Sequence, residues 1–201
     1  VLILGGGVVG ENAAIIATGM QAKVYVLDKS TARLNQLKNK FGDSIIFLNS
    51  DEIKLEEYIT ECDLLIGGVL VPGANAPKLI SKEMIKSMKR GSVIVDVAID
   101  QGGCVETSKP TTHANPTYLV DDVVHYCVAN MPGGVPRTST LALNAATLPF
   151  IMKLAQEGHK DALSSDANFL EGLNVCKGQV TYKAVANDLN YEYIPASKAL
   201  N

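Results

Sequence analysis

A glycine-rich segment at the start of the chain constrains the fold more than any other feature. Gly5, Gly7 and Gly10 form the pattern Gly-x-Gly-x-x-Gly, directly after the apolar run Val1–Leu4 and at the start of the helical pattern Val9–Thr18. In this setting the first glycine allows a tight turn, the second lets backbone N–H groups approach a pyrophosphate, and the third lets helix and strand pack closely. The helix N-terminus then presents partial positive charge to the phosphates.

An acidic residue at the expected distance strengthens this interpretation. The next apolar run, Lys23–Leu27, is followed by Asp28, 18 residues beyond Gly10. A carboxylate at this place accepts hydrogen bonds from the hydroxyls of an adenosine ribose. The sequence therefore predicts a dinucleotide site, in which Val8 and Val9 at the start of the helix also contact the cofactor.

The charges around Asp28 bear on which dinucleotide binds. Its carboxylate would repel the 2′-phosphate of NADP by several kcal/mol at close range, which favours NAD. Lys29 and Arg33 weaken this preference, because either cation could neutralise a phosphate, but NAD remains the predicted cofactor. Arg33 could instead lie along the adenine.

Apolar runs alternate with helical patterns through the first half of the chain. The candidate strands are Val1–Leu4, Lys23–Leu27, Ile45–Leu48, Asp63–Ile66, Ser92–Val97 and, later, Val123–Val128. The candidate helices between them are Val9–Thr18, Thr31–Lys40, Asp51–Thr60 and Ser81–Met88, with Ser30, Ser50 and Ser81 as candidate N-caps. Continuous apolar strands that alternate with helices are typical of a parallel sheet covered on both faces. The predicted fold class is α/β, a doubly wound parallel sheet of the Rossmann dinucleotide-binding type.

Turn residues divide the rest of the chain. Between the fifth and the last candidate strand, Gly, Pro and Asn residues indicate a long irregular loop, and loops of that length are usually functional. The segment Pro132–Pro136 then precedes a longer predicted helix, Thr138–Leu154. We place a boundary near Arg137, so that residues 1–137 form the dinucleotide-binding domain. Residues 138–201 have helical patterns and few strands, and they are too few to form a stable domain by themselves, so we expect them to pack on something else.

Composition and charge exclude several classes of protein. Hydrophobic residues make up 47% of the chain and charged residues 19%, which excludes a disordered protein. The net charge is −3 and the 18 Lys and Arg residues are scattered, so no nucleic-acid partner is expected. The uncharged stretch Leu64–Pro77 is shorter than the roughly 20 residues of a membrane helix, so no membrane span is expected. The four cysteines form no Cys-x-x-Cys pair, which indicates reduced thiols and a cytoplasmic location.

The segment after the fifth strand is the best candidate for catalysis. Ligands of open α/β sheets bind at the carboxyl ends of the strands, and here the run from Val97 to Cys104 delivers Asp100 beside two glycines. Asp100 is therefore a candidate general acid/base or substrate-orienting group, with a loop-capping role as the alternative. Asp96 lies inside the strand pattern and is expected to be a hydrogen-bonded structural residue.

The cysteines and histidines show no catalytic or metal-binding pattern. Cys104 is expected to be a small buried residue rather than a nucleophile, since no histidine has the spacing of a partner. His113, His125 and His159 show no metal-ligand spacing with Cys, Asp or Glu, so no metal is expected.

Several segments resemble alanine dehydrogenases, a family of NAD-dependent amino-acid dehydrogenases. They occur in the family's order and span essentially the whole chain: Gly5–Gly10, Val69–Ile80, Val95–Cys104, Tyr126–Pro132 and Val135–Thr140. The resemblance implies reversible oxidative deamination of L-alanine to pyruvate and ammonium, with hydride transfer to the nicotinamide of NAD. It also implies that an NAD domain is inserted into a discontinuous substrate domain, to which the chain returns after the Asn-Met-Pro motif.

The same resemblance assigns site residues motif by motif. Asp100 would be the catalytic carboxylate, holding the ammonium or the carbinolamine and contacting the cofactor. Asn130 would contact the substrate and, with Met131, flank the nicotinamide. Ser50 would close the adenine side, and Lys109 would reach the cofactor from the long loop. The apolar residues that would line the cofactor are Val69, Leu70, Val97, Ile99 and Val128.

The resemblance also implies groups that this sequence does not contain. In the family an Arg and a Lys hold the substrate carboxylate and carbonyl, and a His acts as acid/base. All three lie in the N-terminal half of the substrate domain, which would precede Val1. We therefore expect this chain alone to bind NAD or NADH without oxidising alanine. The resemblance further suggests a homo-oligomer, a hexamer.

An alternative from another class is the soluble NAD(H)-binding component of a proton-translocating transhydrogenase. That family shares the fold and much of the region from Pro72 to Ile80. It typically carries no acid at the position of Asp100 and differs over Cys127–Pro132, so the resemblance to it is weaker where the chemistry lies.

Overall fold

The structure, a computed structural model, describes residues 1–71 and 75–200. Part of the motif Val69–Ile80 therefore lies outside the described residues. Contacts divide the described chain into two compact units, one of residues 1–71 and 75–131 and one of residues 132–200. The predicted domain limits, 1–137 and 138–201, stay predictions.

The first unit alternates strands and helices. Its elements are β1 (Leu2–Leu4), α1 (Val8–Gly19), β2 (Tyr25–Asp28), α2 (Thr31–Phe41), β3 (Ile46–Asn49), α3 (Leu55–Ile59), β4 (Leu64–Gly67), α4 (Lys82–Lys86), β5 (Val93–Asp96), β6 (Thr117–Val120) and β7 (Val123–Tyr126). The strand order in the sheet is β3-β2-β1-β4-β5-β7-β6. Every neighbouring pair is parallel except β6 with β7. The doubly wound α/β fold is thus confirmed.

The central strand shows why both faces of the sheet are covered. Leu2 and Leu4 pack in one apolar cluster with residues of α3 and α4, such as Ile59 and Ile85. Ile3 points to the opposite face, where it joins a second cluster with residues of α1 and α2. Side chains alternate across a strand, so a continuous apolar run requires a hydrophobic layer on each side.

Serine caps start two of the predicted helices and fail to start a third. Ser30 Oγ accepts a hydrogen bond from the Arg33 N–H at 3.2 Å, and Ser81 Oγ accepts one from the Met84 N–H at 3.3 Å. The expectation that Ser50 caps a helix beginning at Asp51 is wrong. Asn49 Oδ1 accepts a hydrogen bond from the Asp51 N–H at 3.0 Å, so the chain turns there and α3 begins only at Leu55.

The sequence analysis missed β6, which lies inside the expected irregular loop. Its side chains alternate between exposed and half-buried, and Leu119 is 67% exposed, so the strand lacks the apolar run that marks the buried strands. It pairs with β7 through the two-residue turn Asp121-Asp122, where φ is 50° and 62°. Positive φ at both positions is the geometry of a tight hairpin, and Asp tolerates it better than most residues.

A buried carboxylate organises the chain that leaves β5. The strand ends at Asp96, one residue before the expected end, and Val97–Gln101 forms a 3₁₀ turn. Asp96 is fully buried. Its Oδ1 accepts a hydrogen bond from the Cys104 N–H at 3.3 Å, and its Oδ2 accepts one from the Val105 N–H at 3.2 Å. These hydrogen bonds link Asp96, just before the turn, to two residues that follow the turn. The structural role predicted for Asp96 is confirmed.

The second unit is mainly helical, as predicted. Its elements are α5 (Pro136–Ser164), α6 (Ala167–Leu170), β8 (Val175–Cys176), β9 (Gln179–Val180), α7 (Lys183–Asp188) and α8 (Ala196–Leu200). Helix α5 begins earlier and ends later than the predicted helix Thr138–Leu154, and Gly158 interrupts it with a φ of 76°. None of the described helices, α5 included, is both long and apolar enough to cross a bilayer.

Residues 5–7, between β1 and α1, form what we call the glycine loop. The packing of α1 on this loop leads to a prediction about stability. A Cβ atom at Gly10 would lie 1.8 Å from the Gly5 carbonyl oxygen, whereas one at Gly19 would meet nothing within 4 Å. We expect Gly10→Ala to lower the free energy of unfolding by about 3 kcal/mol or more. The matched control Gly19→Ala, in the same helix, is expected to be neutral or to stabilise by up to about 1 kcal/mol. Chemical denaturation measures both, and equal stability of the two variants would contradict this packing.

The hydrogen bonds of Asp96 lead to a second prediction about stability. In Asp96→Asn one carboxylate oxygen becomes an amide that faces a backbone N–H, so a buried donor loses its acceptor. We expect a loss of about 2 kcal/mol in the free energy of unfolding. The control Asp63→Asn alters an exposed acid paired with Lys89 and should cost less than about 1 kcal/mol. Urea titrations of the two variants give the comparison, and a loss no larger for Asp96→Asn than for the control would refute the role of Asp96.

Candidate functional site

The glycine loop after β1 has the geometry that the motif predicts. Gly5 has a φ of 94°, and its N–H donates a hydrogen bond to the Leu27 carbonyl at 2.7 Å. A Cβ atom at Gly5 would lie 2.9 Å from the Gly68 carbonyl oxygen, so the loop passes close to the end of β4. Gly5 and Gly10 are therefore required by the turn and by its contact with α1.

The N-terminus of α1 is open. Gly7 is its N-cap and forms no side-chain cap, and a Cβ atom at Gly7 would meet nothing within 4 Å. Val8 is 79% exposed and Val9 is 40% exposed. The first N–H groups of a helix lack partners within the helix, so an anion such as a pyrophosphate fits this place.

Asp28, at the end of β2, is fixed beside the glycine loop. Its Oδ2 accepts a hydrogen bond from the Gly6 N–H at 2.7 Å, and its Oδ1 accepts one from the Ser30 N–H at 2.8 Å. A carboxylate oxygen can accept more than one hydrogen bond, so both oxygens can still receive ribose hydroxyls. The arrangement fits the predicted role of Asp28.

Arg33 reaches the same loop from the first turn of α2. Its Nε donates a hydrogen bond to the Gly6 carbonyl at 2.6 Å, and its Nη2 forms an ion pair with Glu11. Glu11 also pairs with Lys40 at 2.6 Å. The hydrogen bonds from Lys40 and Arg33 hold the pKa of the Glu11 carboxyl below its usual value.

Sequence reasoning overlooked Gly6 and Glu11. The Gly6 peptide links β2 and α2, because its N–H binds Asp28 and its carbonyl binds Arg33. A Cβ atom at Gly6 would lie 2.9 Å from Leu37 Cδ1. An acid directly after the last glycine and two cations seven residues apart on α2 were the available signal for the network.

Two further strand ends lie next to this loop. After β4, the Gly68 N–H donates a hydrogen bond to the Leu4 carbonyl at 2.8 Å. Val69 follows and packs against the core, and Leu70 is 62% exposed. After β3, the Ser50 N–H donates to the Asp28 carbonyl at 3.2 Å. The structure therefore brings Val69 to the glycine loop and Ser50 to Asp28, while their contacts with a cofactor stay predictions.

The turn after β5 carries Asp100, and hydrogen bonds from a neighbouring segment hold the backbone of this turn. Asp100 is exposed, Val97 is half-buried and Ile99 is buried. The Ala76 N–H donates to the Gln101 carbonyl at 2.8 Å. A ligand at this place can therefore reach the Asp100 carboxylate but touches little of the Ile99 side chain.

Lys78 adds further hydrogen bonds to the end of that turn and to the residues after it. Its Nζ donates hydrogen bonds to the Gly102 carbonyl at 2.5 Å and to the Val105 carbonyl at 3.2 Å. The Leu79 N–H donates to the Cys104 carbonyl at 2.8 Å. The Lys78 side chain and the Leu79 N–H thus hold backbone carbonyls of residues 102–105, which follow the turn.

The end of β7 carries the residues expected near the nicotinamide. Val128 is buried, Asn130 is exposed and Met131 is half-buried. His113 Nε2 lies 2.7 Å from the Asn130 carbonyl oxygen, and the Thr111 N–H donates to the Cys127 carbonyl at 2.8 Å. The long loop therefore supports this segment instead of lying free of it.

Lys109 packs on an aromatic ring. Its Nζ lies 4.6 Å from the centroid of the Tyr118 ring, and its backbone N–H donates to the Tyr118 hydroxyl at 2.8 Å. Burial and the hydrogen bond with Cys127 raise the pKa of that hydroxyl. The predicted reach of Lys109 to the cofactor stays a prediction.

The buried sulfur and imidazole groups have structural partners. Cys104 is fully buried and its Sγ donates to Asp96 Oδ1 at 3.6 Å. Burial and the neighbouring Asp96 raise the pKa of this thiol, and the prediction that Cys104 is a small buried residue is confirmed. His125 is also buried and bonds to Thr107 Oγ1 at 2.8 Å, and burial lowers the pKa of its imidazole. Within residues 1–71 and 75–200, no group of three His, Cys, Asp or Glu side chains could hold a metal ion.

Comparisons with known proteins agree with this geometry. The family model described as "Alanine dehydrogenase/PNT, C-terminal domain" matches residues 1–183. An alanine dehydrogenase of Halomonas elongata is 58% identical over 200 residues, which are 100% of this chain and 54% of that protein. The chain spans about half the length of the curated relatives it matches.

Solved structures give the same result. One titled L-alanine dehydrogenase superposes with a TM-score of 0.82 at 50% identity, covering 94% of this chain and 52% of the other. A transhydrogenase from Sinorhizobium meliloti is a weaker match, with a TM-score of 0.59 at 30% identity, covering 67% of this chain and 38% of the other. On these matches, the chain belongs to the alanine dehydrogenase/PNT family, through the C-terminal domain of that family.

Proposed function

We propose that this chain supplies the NAD site and one catalytic carboxylate for the reversible oxidative deamination of L-alanine to pyruvate and ammonium. The observation that carries the proposal is the exposed Asp100, held by a braced turn at the same edge of the sheet as the glycine loop. The high identity to alanine dehydrogenases supports this substrate.

The adenosine and pyrophosphate part of NAD would occupy the glycine loop and the end of β2. The open N-terminus of α1 at Gly7 would bind the pyrophosphate through backbone N–H groups. The Asp28 carboxylate would accept the ribose hydroxyls, and Ser50 and Arg33 would border the adenine. Leu70, Val8 and Val9 are exposed enough to contact the cofactor directly.

Asp100 and Asn130 would act on the substrate. A bound NAD would supply, in its nicotinamide, the acceptor for a hydride from the substrate carbon. The Asp100 carboxylate would form a charge-assisted hydrogen bond with the substrate ammonium and would accept a proton as the carbinolamine forms or collapses. Asn130 and Met131 would orient the reacting carbon, and the His113 contact fixes the backbone that carries them.

The location and the assembly are also proposals. All four cysteines are free thiols, which supports a reducing compartment and hence the cytoplasm. A homo-oligomer, a hexamer by the family resemblance, is proposed for the complete protein. The transhydrogenase alternative has less support, because its structural match is lower in identity, coverage and TM-score.

The proposed binding of the pyrophosphate at the N-terminus of α1 can be tested by adding a single methyl group at Gly7. Gly7→Ala places that methyl where the pyrophosphate would approach the backbone, so we expect the dissociation constant for NADH to rise at least about tenfold. Because a Cβ atom at Gly7 meets nothing within 4 Å, stability should fall by about 1 kcal/mol or less. Calorimetric titration of the chain with NADH measures the affinity, and Gly19→Ala is the matched control. Unchanged affinity in Gly7→Ala, or no NADH binding by the unmodified chain, would contradict the proposed site.

The role of Asp100 is tested in the complete gene product that contains this chain. Asp100→Asn removes the negative charge and the proton acceptor, so we expect kcat for alanine oxidation to fall about 100-fold or more, while the NADH dissociation constant changes less than about threefold. The control Asp43→Asn alters an exposed acid in the 3₁₀ turn after α2 and should leave both quantities unchanged. Alanine-dependent formation of NADH is followed by absorbance. Full activity of Asp100→Asn would rule out the catalytic role.

A further inference from the structure

We propose that Glu11 is a specificity-determining residue, which selects NAD over NADP by holding Arg33 away from the place of a 2′-phosphate. The inference rests on the proposed NAD site and adds a residue to it. Glu11 lies in the first turn of α1, and its carboxylate joins the guanidinium of Arg33 on α2.

Of the two cations near Asp28 in the sequence, Lys29 and Arg33, it is Arg33 whose hydrogen bond to the glycine loop is seen in the structure. Its Nε donates to the Gly6 carbonyl at 2.6 Å, and the N–H of the same Gly6 donates to Asp28 Oδ2 at 2.7 Å. One peptide therefore lies between the arginine and the carboxylate that would bind the ribose. A phosphate attached to the ribose 2′-oxygen would be within the reach of a long, planar guanidinium.

Glu11 keeps Arg33 engaged elsewhere. The guanidinium has one anchor in the Gly6 carbonyl, a second in Glu11 and a third in Gln36 Oε1 at 3.3 Å. The Arg33 side chain is 28% exposed and that of Glu11 is 21% exposed, so the pair is partly withdrawn from solvent. To meet a 2′-phosphate, Arg33 would have to give up a charged partner that is already correctly placed.

The local charge balance explains why Asp28 alone is not sufficient for selection. Asp28 repels a 2′-phosphate, but an unpaired Arg33 beside it would offset that repulsion. The four charges of Asp28, Glu11, Arg33 and Lys40 sum to zero, and each cation pairs with Glu11. Glu11 thus removes the compensation that Arg33 would otherwise provide, while Lys29, next to Asp28, lies outside this pair.

The experiment compares the affinities for NADH and NADPH in the 201-residue chain by calorimetric titration. The ratio of the two dissociation constants isolates the 2′-phosphate, because both ligands share the remaining contacts. We expect Glu11→Gln to shift the ratio toward NADPH at least about fivefold. Glu11→Ala should give the same shift and serves where Glu11→Gln is poorly folded, which circular dichroism detects.

A double-mutant cycle separates the action through Arg33 from a general gain of positive charge. In the Arg33→Gln background, Glu11→Gln should leave the ratio unchanged within about twofold, since the cation that Glu11 restrains is absent. Lys40→Gln is the second control, because it leaves the Glu11–Arg33 pair intact and should bring no gain for NADPH.

The outcomes distinguish the two proposals. NADH binding by the unmodified chain with an unchanged ratio in Glu11→Gln and Glu11→Ala would overturn the role of Glu11 and leave the NAD site standing. An equal shift in the presence and absence of Arg33 would overturn it as well. Absence of NADH binding in the unmodified chain would overturn the NAD site and, with it, this inference.

Discussion

The close contact between Gly10 and the Gly5 carbonyl is the constraint on which the first unit depends. It allows α1 to start immediately after β1 and to lie against the sheet, because any side chain at Gly10 would overlap the backbone of the turn. The same turn carries the Gly6 peptide to Asp28 and Arg33, and it leaves the N-terminus of α1 without a side-chain cap. One steric requirement therefore sets the position of the helix, the opening for an anion and the approach of the next strand and helix. Packing and ligand chemistry are determined by the same few atoms.

The parts of the fold that were predictable are those encoded in local pattern. Apolar runs identified β1 to β5 and β7. Burial on both faces explains the run in the central strand β1, whereas the edge strand β3 is apolar in sequence although none of its residues is fully buried. Strand β6 escaped because it is a half-exposed edge strand joined to β7 by two aspartates, a turn with no glycine. The prediction that Ser50 caps a helix was wrong because Asn49, one residue earlier, forms a turn, so that α3 begins only at Leu55. Asn49 accepts the Asp51 N–H with its side chain and the Glu52 N–H with its carbonyl, and the residue type of Ser50 alone does not encode this turn.

In the candidate site, too, some residues could be predicted from local sequence pattern and others could not. Gly5, Gly10 and Asp28 could be found because their spacing follows from the turn and from the strand that comes next. Glu11 and Lys78 were missed, because their roles depend on contacts between elements 22 to 27 residues apart. For Asp96 the structural role could be predicted from its place in the strand, but its partners, the backbone N–H groups of Cys104 and Val105, could not. Residues that brace a site are recognised by the donors and acceptors they satisfy, and those appear only when the chain is folded.

Asp96 and Asp100 show how position along one short turn separates structure from chemistry. Asp96 is fully buried and its oxygens are occupied by backbone donors and by the Cys104 thiol, so the charge is compensated and serves only to close the turn. Four residues later, Asp100 emerges at the surface on a backbone held by Ala76 and Lys78. A carboxylate that must bind a substrate needs free oxygens and a fixed backbone at once. The buried acid supplies the fixed backbone, and the exposed acid can then keep its oxygens available for a ligand.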